Sequence, residues 1–148
     1  MQIVIGSDHA GFHLKQELAN WLRQSGHQVE DIGSHDPEPV DFPDIAYAVC
    51  SKVRESNGLR GILVCGTGVG AVIASNKVKG IRAAVCHDVH SAHQAVEHDD
   101  VNVMCIGAQI IGPWLARDLT DAFLQAEFVQ EADFIRRVEK LSQLEQRG

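Results

Sequence analysis

The chain has 148 residues, a formal net charge of -7, 45% hydrophobic and 22% charged side chains, which suits a single domain over residues 1–148 with one sizeable core. The acidic balance argues against a nucleic-acid surface, because phosphate backbones need a basic stripe that this sequence lacks. No apolar run approaches the roughly 20 residues of a membrane helix, and the first residues enter a strand pattern instead of a basic-then-apolar leader. Cys50, Cys65, Cys86 and Cys105 stand singly, with no C-x-x-C pair, as free thiols of a reducing compartment do. The expectation is a cytoplasmic protein with a small-molecule ligand.

Ile3-Val4-Ile5 forms a short strand that ends in Gly6-Ser7-Asp8-His9-Ala10-Gly11. The helix after it, from about Phe12 to Gln24, carries Leu14, Leu18 and Leu22 on one face with Trp21 beside them, and Ser25-Gly26 stops it. Val29 to Ile32 is a second strand. A polar loop from Gly33 to Pro43, with Pro37 and Pro39 inside it, is long enough to be a lid. A helix from about Asp44 to Glu55 directs Ile45, Ala48, Val49 and Val53 inward, and Asn57-Gly58 ends it.

Ile62 to Val64 is apolar and β-branched-rich, as a strand buried on both faces requires. It runs into Cys65-Gly66-Thr67-Gly68-Val69-Gly70, where the chain turns into a helix whose apolar side is expected from Val72, Ile73 and Ala74. Lys79-Gly80 closes that helix. Ile81 to Cys86 is a strand, His87 to Glu97 a polar helix, and Val101 to Ile106 the fifth strand. A long helix follows Gly107–Gly112 through about Ala126, with Pro113 in its first turn. A last helix, about Ala132 to Gln146, sets Phe134, Val138 and Leu141 on one side, able to pack on something beyond its own sheet. The alternation predicts one doubly wound parallel sheet of five strands between helices.

Chemistry concentrates at Cys65. A thiol at the carboxyl end of a buried strand, beside unpaired backbone amides at a helix start, lies in a field that favours its anion. The Gly66-x-Gly68-x-Gly70 spacing is neither a dinucleotide fingerprint nor a P-loop, and a tight turn around a structural cysteine explains it equally well. Asp8 and His9 belong at the same sheet edge, where open α/β sheets place ligands. The alternative for that pair is helix capping. His87, His90 and His93 recur every three residues, but metal ligands on a helix also need a carboxylate or thiolate from elsewhere. They are expected to be exposed decoration, and no metal is assigned.

Gly6-Ser7-Asp8-His9-Ala10-Gly11-Phe12, Cys65-Gly66-Thr67-Gly68-Val69-Gly70, Asn76-Lys77 and Gly80-Ile81-Arg82-Ala83, with Asn102-Val103 and Arg137-Val138-Glu139 downstream, closely resemble the type B ribose-5-phosphate isomerases, a family that includes the galactose-6-phosphate isomerase subunits. The resemblance runs over nearly the whole chain. It implies a Rossmann-like fold and an aldose–ketose isomerase that needs no cofactor, working as a homodimer or tetramer with sites between subunits, the last helix packing on the partner. It further implies Cys65 as the base and Thr67 with the amides of Gly66, Gly68, Val69 and Gly70 as the cradle for an enediolate oxygen. By the same resemblance His98 opens the sugar ring, while Asp8, His9, Asp41, Asp99 and Arg137 bind substrate.

Four positions depart from the family pattern. Asp99 stands where an asparagine is usual, and Phe42 where a tyrosine is common. Gln109 and Asp133 occupy places of expected arginines, so the phosphate clamp keeps Arg137, with Arg136 and His9 as possible helpers. The substrate is therefore expected to be ribose 5-phosphate or ribulose 5-phosphate, or else another sugar such as a hexose 6-phosphate, a tetrose phosphate or an unphosphorylated aldose. A non-catalytic flavodoxin-like binding module is the rival from another class, against which the pairing of Cys65 with His98 counts.

Overall fold

Apolar runs too short for a helix, each followed by a longer segment with one apolar stripe, can bury both faces of their strands only between two helical layers. The computed structural model, describing residues 1–148, has that architecture. Strands β1 (Gln2–Ser7), β2 (Gln28–Gly33), β3 (Arg60–Cys65), β4 (Ala83–Val85) and β5 (Val103–Gly107) form a parallel sheet in the order β2-β1-β3-β5-β4. The helices are α1 (Phe12–Gln24), α2 (Phe42–Val53), α3 (Val69–Ser75), α4 (Val89–Asp99), α5 (Pro113–Gln125) and α6 (Ala132–Arg147).

Alternation along the central strands divides the core. Ile3, Ile5, Ile62, Val64, Met104 and Ile106 face α1, α4 and α5. Val4, Leu63, Cys65, Val103 and Cys105 face α2 and α3. From β1 the chain crosses to β2 on one face, then from β2 to β3 on the other, so the direction of winding reverses between β1 and β3. That reversal opens a crevice at the carboxyl ends of those two strands, the ends that carry Asp8 and Cys65.

Several boundaries differ from expectation for local reasons. The fourth strand shrinks to Ala83–Val85 because Arg82 is engaged before it: its amide donates to the Asn102 side chain and its guanidinium to the Asp100 carbonyl. Asn76 then pairs through its amide group with both backbone groups of Ala83, a strand partner made from a side chain. Helix α4 starts at Val89, since the Asp88 carboxylate accepts the Ser91 amide at 2.7 Å and caps it. Helix α3 turns Ala71 and Ser75 inward, whereas Ile73, expected on the buried side, is 56% exposed. In α2 the buried set is Ala46, Val49, Cys50 and Val53, with Ile45 and Ala48 at its margin.

Two cations, Lys15 buried and Arg60 half-buried, tie the layers together. The ammonium of Lys15, fully buried, donates to both carboxylate oxygens of Asp31 at 3.0 and 2.8 Å and to the Ser34 carbonyl, anchoring the end of β2 and the loop after it. Arg60 donates to the carbonyls of Phe123, Leu124 and Ala126, placing its charge on the negative end of α5. Burial holds the Arg60 guanidinium below its ordinary pKa, against the opposing pull of Asp100 and Glu127.

Candidate active site

Strand β3 delivers Cys65 to the carboxyl edge, and the turn after it is shaped by glycine. Gly68 adopts φ +83°, the left-handed region where a side chain is strained, which turns the chain into α3, and its amide donates to the Cys65 sulfur at 3.0 Å. The amide of Val69 reaches the Thr67 hydroxyl at 3.3 Å. At Gly70 a Cβ would stand 2.8 Å from the Phe42 ring, so the first residue of α2 leans directly on the turn. Cys65 keeps 6% of its surface accessible. Burial pushes the other thiols up, Cys86 to about 11, and Cys50 and Cys105 also upward, which keeps all three protonated at neutral pH.

The β1 edge adds its own groups. Asp8 donates its amide to the Val64 carbonyl beside Cys65 and accepts the Gly11 amide at 3.0 Å on Oδ1, which closes the loop turn ahead of α1; the helix itself starts from Gly11 without a side-chain cap. His9 Nδ1 accepts the Val40 amide at 3.2 Å. The ring is therefore bound to the loop that carries Asp41, and Nε2 is the nitrogen left to hold the proton and donate. Gln109 lies over the turn from the β5 side, its carboxamide about 3.2 Å from where a Gly66 Cβ would be. Cys65, Thr67, the glycine amides, Asp8, His9, Asp41 and Gln109 thus share one edge.

His98 and Asp99 do not join them. They close α4, which runs antiparallel to the strands and ends at the edge where the strands begin; the neighbouring Asp100 carbonyl accepts from Arg82, just ahead of β4. Cys65 ends β3, so about five residue rises of ~3.3 Å, roughly 16 Å of strand, separate the two edges. At this second edge the His98 ring stacks on Phe134 with centroids 4.3 Å apart, and Arg137 sits over the same ring at 6.0 Å. Arg136 donates to Asp133 at 2.9 Å. That pair is exposed and spans one helical turn, so it holds Arg136 only weakly.

The three spaced histidines are not alike. His93 pairs with Glu97 at 2.9 Å and His90 is exposed, but His87, expected to be decoration, is half-buried and accepts the Gly107 amide at 2.9 Å. Helical periodicity placed it on the wrong side of a boundary: it precedes α4 and reaches back to the sheet. No group of three His, Cys, Asp or Glu side chains converges as a metal site would require.

A parallel α/β sheet with a thiol in a glycine turn at its winding reversal belongs to the class of open sheets that bind small ligands at their carboxyl edge. The chain matches the family model described as Ribose/Galactose Isomerase over residues 3–141, and it belongs to that family. It is 44% identical over 130 residues to the D-erythrulose-4-phosphate isomerase of Pectobacterium atrosepticum, covering 86% of this chain and 85% of the relative. It is 40% identical over 146 residues to the ribose-5-phosphate isomerase B of Escherichia coli, covering 99% of this chain and 97% of the relative. The solved structure of Clostridium thermocellum ribose-5-phosphate isomerase B superposes with a TM-score of 0.94 at 44% identity, over 99% of each chain.

Proposed function

We propose that the protein interconverts an aldose and a ketose sugar phosphate through a cis-enediolate, with ribose 5-phosphate and ribulose 5-phosphate as the first pair. The Cys65 thiolate removes the C2 proton of the open-chain aldose. The electron pair moves into the C1–C2 bond and the carbonyl oxygen becomes an oxyanion, held by amides of the Gly66–Gly70 turn. Return of the proton to C1, with the hydroxyl proton passing from O2 to O1, leaves the ketone at C2. The reading rests on one observation above all, the Gly68 amide directed at the Cys65 sulfur within a turn that has further amides to offer.

His98 reaches such a site only from a second copy of the chain. Helix α6 has no buried residue, and Leu141 and Leu144 are exposed along it, so it has an apolar stripe to lay on a partner. A homodimer would combine Cys65, Thr67, Asp8, His9 and Asp41 of one copy with His98, Asp99 and Arg137 of the other. No helix is long and apolar enough to cross a membrane, and four free thiols suit the cytoplasm.

A second substrate, a tetrose phosphate such as D-erythrulose 4-phosphate, is favoured by a relative of 44% identity that carries that name. The deciding experiment is a panel of pentose and tetrose phosphates with the free sugars, run on the parent and on Cys65→Ala. Turnover of a phosphorylated substrate that collapses in Cys65→Ala supports the proposal. Turnover that survives the substitution makes Cys65 a structural thiol, and preference for a free aldose overturns the phosphate assignment.

A further inference from the structure

We propose that His87 is a positioning residue for the Cys65 turn, acting through the peptide of Gly107. Only the kinetic half of its test rests on the isomerase reading. Strand β4 is short, and the last backbone bond it makes to β5 is the Cys86 amide on the Cys105 carbonyl at 3.2 Å. Alternate residues of a parallel strand face the same neighbour, so the next β5 amide on that side belongs to Gly107. Nε2 of His87 receives it at 2.9 Å in place of a backbone carbonyl. The imidazole thereby lengthens the sheet by one rung, and that rung lies at the level of Cys65, which pairs in register with Gly107 across β3 and β5.

The peptide held in this way is the surface on which the turn rests. A Cβ on Gly107 would stand 2.6 Å from Thr67 Cα and 2.8 Å from the Gly66 carbonyl oxygen, so the two backbones are in direct contact. Beyond Gly107, the amides of Ala108 and Gln109 return to the carbonyls of Cys65 and Gly66 at 2.8 and 3.0 Å. A displacement of Gly107 therefore passes to the segment whose Gly68 amide meets the Cys65 sulfur. The rung also has a protonation requirement: Nε2 accepts only with its lone pair free, so the ring is neutral with its proton on Nδ1. Protonation sets one N–H against another and removes it. The titratable groups on the elements meeting this ring are Asp88 and His90 at the start of α4, Cys86 beside it in the chain and Cys65 across the turn. The Asp88 carboxylate is occupied by the Ser91 amide.

His87→Ala and His87→Gln test the role, since a glutamine side-chain oxygen reaches the same amide and does not titrate. His87→Ala is expected to lower kcat about tenfold or more with KM changed less than about threefold, the signature of a misplaced reacting group. His87→Gln is expected to restore most of kcat at neutral pH, since the rung is remade without an imidazole. A kcat for His87→Ala within about twofold of the parent, or equal losses in both variants, overturns the proposal. The Gly107 amide resonance gives an arm without substrate: it should move with pH in the parent and hold still in His87→Gln. A parent inactive on every sugar phosphate would sink the isomerase reading and leave this arm to judge His87; a Gly107 resonance that ignores both pH and the substitution overturns the role. The same resonance judges it if His87→Ala fails to fold.

Discussion

The imidazole of His98 lies flat on the ring of Phe134, with centroids 4.3 Å apart and planes 17° from parallel. Such stacking fixes the direction in which the ring nitrogens point and is worth about 1 kcal/mol beyond burial. If His98 transfers a proton to a ring oxygen, Phe134→Ala should slow turnover of a cyclic pentose phosphate about tenfold, and His98→Asn should slow it more. A tetrose 4-phosphate has its O4 esterified and cannot close a five-membered ring, so both variants should spare it. Equal losses on the two substrates, measured by steady-state kinetics, would show that this stack serves something other than ring opening.

Placing Cys65 and His98 at opposite edges of one chain makes a prediction about mixed dimers. Cys65→Ala and His98→Asn should each be nearly inactive alone. Unfolded together and refolded, they should regain about a quarter of parental activity, because half the dimers pair one of each and hold one intact site of two. A mixture no more active than its parts, with heterodimers verified by mass, rules out a site shared between copies.

The altered clamp can be restored. Gln109→Arg with Asp133→Arg adds two cations and removes one anion, and it also frees Arg136 from its 2.9 Å contact with Asp133. The expected result is a KM for ribose 5-phosphate lowered about tenfold at low ionic strength, with most of the gain lost in high salt. An unchanged KM places the phosphate elsewhere.

Lys15 offers a test of stability independent of substrate. Removing it in Lys15→Met strands the Asp31 carboxylate, whose side chain is 14% exposed, and should cost about 3 kcal/mol by denaturant unfolding. Replacing both partners, Lys15→Met with Asp31→Leu, should recover at least half of that loss. A single variant as stable as the parent would mean that the buried pair contributes no net stability.

The sequence by itself determined the architecture, because short apolar runs alternating with amphipathic segments leave a doubly wound parallel sheet as the arrangement that buries both. It also marked the Cys65 turn, since glycines directly after a buried strand signal a backbone that must bend sharply and approach closely, and it marked Asp8 and His9 through their place after another buried strand. What it left undecided depended on neighbours far away in the chain. Nothing in the local sequence marks Lys15 for burial, which comes from Asp31 and Ser34 closing around it, and the role of His87 is hidden from helical periodicity because the amide it serves is 20 residues away. The separation of His98 from Cys65 follows from their order in the chain once the parallel sheet is granted: Cys65 ends a strand, whereas His98 ends the helix that returns antiparallel to it, so the two stand at opposite edges. What only the tertiary structure decided is the company each keeps there, the Gly68 amide on the Cys65 sulfur and the Phe134 ring against His98.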